Sequence, residues 1–251
     1  MKRTASPADD LALIAVDFRT LFVPAGDRRI ERENDPDRSP GPLFWLAGCA
    51  QGNIAGVRQD VSDAVARELL ALADTEPPFH APGTLPRHVE RYETLLTRDG
   101  AAPRGEVELI HELPHDLPTK GDHELVLSGS AAAFRFEAGI ARCGMPQNLV
   151  ELKMRAPADL WPPWCMLLAE GEVAAMAFAA RLSDDGAELG LVTVPKFRGR
   201  GFAAEVTAGW SRLPALAKRA LFYSTAEDNL ASRRVVARLR LRRIGRGFRL
   251  G

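Results

Sequence analysis

Between Val194 and Ala203 the sequence runs Val-Pro-Lys-Phe-Arg-Gly-Arg-Gly-Phe-Ala, and no other segment limits the possible folds so strongly. An apolar run from Glu188 to Val194 precedes it and reads as a strand; a run from about Phe202 to Leu213 follows and reads as a helix. Glycines at 199 and 201 let the backbone take left-handed torsions and let a ligand approach the main chain closely. A helix starting there aims unpaired N–H groups and the positive end of its dipole at one spot. Arg198 and Arg200 flank that spot, so the segment suits phosphate. It lacks the Gly-Lys-Ser/Thr ending of a nucleoside-triphosphate loop. It also lacks the third glycine and the downstream acid of a dinucleotide fingerprint.

The surroundings read as layered α/β structure. Strands are expected at Met166–Ala169, Val173–Leu182 and Glu188–Val194, joined by turns at Glu170-Gly171 and Asp185-Gly186. After the loop come a helix that Pro214 ends, a strand at Leu221–Thr225, a helix at Asn229–Leu239 and a strand at Leu241–Leu250. The N-terminal half reads as a smaller α+β domain. Its expected elements are a helix from Pro7 to Phe18 capped by Ser6, a turn at Ala25-Gly26-Asp27 and a strand at Leu43–Gly48. Val61, Val65, Leu69 and Leu72 recur at helical spacing, and Arg87–Thr97 reads as a short helix. Val107–Ile110 and Leu125–Leu127 alternate like strands. A boundary near residues 114–130 divides the chain into 1–120 and 121–251.

Arg198-Gly199-Arg200-Gly201-Phe202-Ala203, preceded by Pro195 and Phe197, resembles motif A of the GCN5-related N-acetyltransferase (GNAT) superfamily. Asn229-Leu-Ala-Ser232, opening a helix one strand later, fits that family's second motif, and the resemblance covers roughly residues 150–250. It implies a C-terminal mixed, mostly antiparallel sheet flanked by helices, with acetyl-CoA as co-substrate. The backbone of Arg198, Gly199, Arg200, Gly201, Phe202 and Ala203 would hold the pyrophosphate. Main-chain groups of Val192, Thr193 and Val194 would pair with the pantetheine arm, and an amide there would stabilise charge on the thioester oxygen. Asn229 and Ser232 would lie on the arm's far side. The implied activity is transfer of acetyl from acetyl-CoA to a primary amine of a small molecule or peptide by direct attack. The alternative is a catalytically silent acyl-CoA-binding or regulatory module.

Direct attack needs a neutral amine, hence a base. Glu188, on the strand feeding the loop, is the candidate, since an apolar strand raises a carboxyl pKa. The family's usual tyrosine, seven residues after the motif's asparagine, falls on Val236 here, and Arg240 replaces the usual glycine. Tyr223 and Ser224 are the substitutes for the missing acid. Cys165 is a weaker candidate for an acyl-cysteine route. Trp161-Pro-Pro-Trp164 reads either as an apolar wall for the acceptor or as a packed connection.

Other patterns carry less. His111-Glu-Leu-Pro-His115 has the spacing of a zinc-peptidase helix, but Pro114 interrupts the turn that would align the histidines, and no metal is expected even with His123 nearby. Eight arginines lie in the last nineteen residues, without an acid. Apolar residues interleave them and no aromatic stacking platform accompanies them, so nucleic acid is not an expected partner. Net charge is zero, and 46% hydrophobic with 26% charged residues suits a globular protein. Three isolated cysteines and the absence of a long apolar run point to a reduced, cytoplasmic setting without membrane association; a homodimer is left open.

Overall fold

The computed structural model describes residues 10–97, 101–118, 121 and 123–251. Its N-terminal half comprises α1 (Asp10–Leu21), β1 (Phe22–Gly26), β2 (Arg29–Glu33), β3 (Phe44–Cys49), β4 (Gly52–Arg58), α2 (Asp63–Asp74), α3 (Val89–Leu96) and β5 (Gly105–Glu112). The C-terminal half follows with β6 (Glu124–Leu127), α4 (Ala131–Cys143), α5 (Gln147–Glu151), β7 (Trp164–Ala169), β8 (Glu172–Leu182) and β9 (Gly186–Thr193). It ends with α6 (Phe202–Trp210), β10 (Ala220–Ala226), α7 (Leu230–Leu239) and β11 (Arg242–Leu250). The expected start of the first helix, at Ser6 and Pro7, lies outside the described residues.

All these strands join one sheet in the order β1-β2-β4-β3-β11-β5-β10-β9-β8-β7-β6. Among the described residues only β9–β10 and β2–β4 pair in parallel. The mixed, mostly antiparallel sheet flanked by helices is therefore present, with the meander β7-β8-β9 followed by helix, strand, helix, strand. The last strand of each half is inserted into the other: β5 lies between β10 and β11, and β11 lies between β3 and β5. Apart from Ile244, skipped at a bulge, every residue from Arg242 to Leu250 thus has strand neighbours drawn from the N-terminal half.

Alternation along the strands divides the core. Ala187 and Leu189 of β9 pack with Val206, Ala208 and Trp210 of α6 on one face, where α7 also rests. Val192 of β9 faces the other side, among Met176, Ile140 and Leu149, under α4 and α5. On that second face α1 crosses the centre of the sheet, its Ile14 packed with Trp45, Ile110, Phe222 and Ile244. Helices α2 and α3 bury Leu69, Tyr92 and Leu96 against Phe44, Leu46 and Phe248. Helix α4 had no clear signal in the sequence because only Ala133 and Ile140 of its thirteen residues are buried; Ser130 starts it by accepting from Ala133 N–H. No helix among the described residues is long and apolar enough to cross a membrane.

The arginine-rich end is largely tied into the fold. Arg246 is fully buried, pairs with Glu227 at 2.8 Å and donates to the Thr84 carbonyl at 2.9 Å. Arg242 binds Glu112 and Asp10, and Arg249 lies 3.7 Å from both Glu33 and Glu108. The histidines of the zinc-like pattern part company. His111 ends β5 with Nδ1 3.2 Å from the Tyr223 carbonyl, whereas the ring of His115 meets the carbonyls of Ser211 and Arg219.

Candidate active site

Strands β9 and β10 pair over three residues only, Ala220 with Gly186, Leu221 with Ala187 and Phe222 with Glu188. Beyond that point β9 continues to Thr193 and β10 to Ala226 without pairing, so the sheet splays open. A cleft of about 950 Å³ occupies the splay, lined by Leu189, Leu191, Val192 and Thr193 on one side and by Tyr223, Ser224, Thr225 and Ala226 on the other. Val194 N–H is already bonded to the Ala174 carbonyl at 3.0 Å. Alternation along the β8–β9 ladder then turns the main-chain groups of Leu191 and Thr193 toward the cleft, an edge without a neighbouring strand on which the Thr193 carbonyl already accepts from the Arg198 side chain.

The cleft runs into the glycine loop. Gly199 has φ of +79° and Gly201 has φ of +88° with ψ of 4°, the left-handed torsions expected of them. Phe197 and Phe202, both buried, anchor the loop on either side. Gly201 is the N-cap of α6 and provides no side chain to bond the first-turn N–H groups; Ala204 N–H reaches the Gly201 carbonyl at 3.2 Å, which leaves those of Phe202 and Ala203 for a ligand. Arg198 stays close, its Nε 3.3 Å from the Thr193 carbonyl. Arg200 differs from expectation: its guanidinium pairs with Glu170 at 2.6 Å and lies over the Phe197 and Phe202 rings, so it braces the loop from outside. Arg238 of α7 takes the flanking place. A Cβ on Gly201 would stand 2.6 Å from Arg238 Nη1, and Arg234, one helical turn earlier, lines the same cleft. That four-residue spacing was visible in the sequence, but nothing there said which strand α7 faced.

The candidate chemical groups flank the start of the splay from the two faces of the sheet; Tyr223 and Ser224 line the cleft and Glu188 lies behind it. Glu188 is 6% exposed, and its Oε1 accepts the Ser224 N–H at 2.7 Å. The carboxylate thus occupies the first donor that the parting strands release. Its other oxygen has no hydrogen-bond partner. Burial pushes the Glu188 carboxyl up to about 7, with a smaller rise from Glu108, against the pull of the Ser224 amide. On the opposite face of β10, Tyr223 is buried and lines the cleft, its hydroxyl 2.8 Å from Ser232 Oγ at the start of α7. Burial raises the phenol pKa, and the Ser232 bond partly offsets the rise. Asn229 caps α7, its Oδ1 accepting from Ser232 N–H at 3.0 Å. Ser224 contributes its amide; its hydroxyl is buried without a partner.

Some expected residues lie elsewhere. Val194 is buried with its amide occupied, so Leu191 and Thr193 supply the open edge. Cys165 is fully buried, in a place where a Cβ on Gly209 would touch its sulfur, and burial pushes its thiol up to about 12, which removes it as a nucleophile. Val236 packs against the α6 core cluster. In the tryptophan pair, Trp164 is core, whereas Trp161 is half-buried with its ring 5.7 Å from Phe178.

No protein-family model matches the chain, and no curated protein matches it. Solved structures do. One is an acetyltransferase of the GNAT family from Colwellia psychrerythraea, 15% identical, with 99% of this chain and 98% of that chain covered at a TM-score of 0.44. Another is a GCN5-related N-acetyltransferase-like protein from Streptococcus suis, 15% identical, covering 98% and 100% at 0.40. A GNAT-family protein from Novosphingobium aromaticivorans is 20% identical at 0.39, with 59% of this chain matched to 64% of that one. The chain resembles the GNAT fold. The order of elements around the loop, not these scores, carries the resemblance, and the GNAT reading of the site rests on the splay and the glycine loop.

Proposed function

We propose that the chain is an acetyl-CoA-dependent N-acetyltransferase acting on a primary amine of a small molecule or peptide. One observation carries the reading: the sheet parts beside a buried carboxyl, Glu188, which is bonded to the cleft-lining Ser224, and the cleft in that parting ends at a glycine-capped helix N-terminus. The cleft fits the co-substrate. Gly201 leaves main chain bare where a Cβ would intrude, the α6 N–H groups and Arg238 suit phosphate, and the open edge of Leu191 and Thr193 suits an amide-bearing arm.

Acetyl-CoA supplies an activated acetyl thioester. The residues of the chain would do the rest. Glu188, ionised near neutrality, takes a proton from the ammonium form of the acceptor and leaves the nitrogen lone pair free to attack. An N–C bond forms as the C–S bond breaks. The open N–H groups of β9 donate to the carbonyl oxygen as it gains charge. Tyr223, hydrogen-bonded to Ser232, gives the departing thiolate its proton and is restored by the second proton that the acylated nitrogen sheds, the role for which Val236 has no chemistry.

The substitution at Val236 favours a second reading, a silent acyl-CoA-binding module. Calorimetric titration with acetyl-CoA, followed by turnover with a panel of amines, separates the two. Binding with acetyl transfer supports the enzyme, binding without transfer to any amine supports the module, and absence of binding overturns both.

A further inference from the structure

Helix α1 brings a second carboxyl to Glu188. Asp17 is fully buried under the sheet, and neither of its oxygens has a hydrogen-bond partner. Thr20, one turn further along α1, lies where a Cβ on Gly186 would fall, so this face of the helix covers the start of β9. The uncommitted Oε2 of Glu188 is enclosed as well. An ionised carboxylate oxygen kept from water without a donor is costly, and two buried carboxyls whose charges act on each other resist both being ionised.

We propose that Asp17 and Glu188 hold one proton between them, with Asp17 the neutral acid and Glu188 the ionised base when the site works. The donors decide which residue keeps the proton. Glu188 receives the Ser224 amide, which stabilises an anion, whereas Asp17 receives nothing. Other charges facing Asp17 do not reverse this. Glu108 of β5 adds negative charge beside it; Arg249 of β11, 3.7 Å from both Glu108 and Glu33 with its buried Nε unpartnered, pulls the Asp17 carboxyl down less than burial and the two glutamates raise it. Arg181 of β8 is committed to Glu33 at 2.8 Å. Burial is the largest cause raising the Asp17 carboxyl, and the charge of Glu188 comes next. Asp17 is thus a positioning residue. While it stays neutral, no second anion opposes ionisation of the base, and the proton Glu188 accepts from an ammonium group leaves that of Asp17 in place. The catalytic meaning rests on the acetyl-transfer reading above; the shared proton does not.

The test is a pH titration of the full chain with carboxyl-carbon labels on Asp and Glu, followed by NMR. Asp17 should remain protonated through neutrality while Glu188 ionises first, and the Glu188 signal should show a second, alkaline inflection as Asp17 ionises. Glu188→Gln should lower the Asp17 midpoint by about one pH unit or more, because the like charge is gone. Asp17→Asn, a permanent mimic of the neutral acid, should keep the first Glu188 inflection and erase the second. An Asp17 ionised below pH 6, or an Asp17 midpoint that Glu188→Gln leaves unmoved, overturns the pair. Coupled titration in a protein inert toward every amine upholds the pair and removes its catalytic role. Acetyl transfer with uncoupled carboxyls keeps the function and sinks the pair.

Discussion

Two of the sheet's strand–turn–helix units, β4 into α2 and β9 into α6, differ in what their helix N-termini offer an anion. After β4, Arg58 folds back onto Asp60 at 2.8 Å and onto the Gly41 carbonyl at 2.8 Å, which closes the turn on itself. Helix α2 then begins at Asp63, and its own carboxylate occupies the positive end of the dipole. Helix α6 begins after Gly201, which offers no side-chain cap. Its one first-turn acid, Glu205, is turned away to His123 Nδ1 at 3.0 Å, and Arg238 stands over the opening. Similar backbones therefore differ in what they attract. The charge at the first helical turn, and the side chain missing from the cap, decide the matter.

Gly201→Val is the largest blow to that difference. The residue sits at φ of +88°, which a β-branched side chain resists, and its Cβ would strike Arg238. Acetyl-CoA affinity measured by calorimetry should fall roughly 100-fold or more. Wild-type affinity in this variant would mean the α6 terminus holds no phosphate. Next comes Glu188→Gln, which should lower kcat on the order of 100-fold while leaving the acetyl-CoA Kd near its starting value. The wild-type rate should climb as pH rises through about 7, where the carboxyl ionises, and the variant should lose that limb. Stability runs the other way. The folded state keeps a Glu188 proton that the unfolded chain releases in the ordinary carboxylate range, so stability falls as pH rises from there to about 7.

The strands, the loop and the glycine torsions were legible because they are local: turn pairs, alternation and two glycines report on their own neighbourhood. The exchange of β5 and β11 between halves was not, because strand order depends on contacts far apart in sequence; Val107–Ile110 read as a strand, but nothing named its neighbours. Glu188 was found from its place before the loop. Its Ser224 amide depends on where two strands part, and its companion Asp17 lies on an element with no sequence link to the site. Arg200 shows the limit from the other side. A basic residue within the motif looked like a phosphate ligand, and Glu170 at a hairpin turn claimed its side chain.

Smaller effects sharpen the contrast. Arg238→Ala should weaken acetyl-CoA binding about tenfold at low salt, with a smaller loss at high salt as screening grows; an unchanged Kd at both salts would take Arg238 out of the phosphate site. The least effect belongs to the helix that cannot bind. Asp63→Ser removes the carboxylate from the first turn of α2, and this side chain is 94% exposed, so little packing goes with it. The dipole loses a favourable charge, and Tm should drop by about 1–2 °C. Acetyl-CoA binding should not change, since no part of α2 lines the cleft. A drop in affinity here would show that the two helix ends are coupled through the shared sheet.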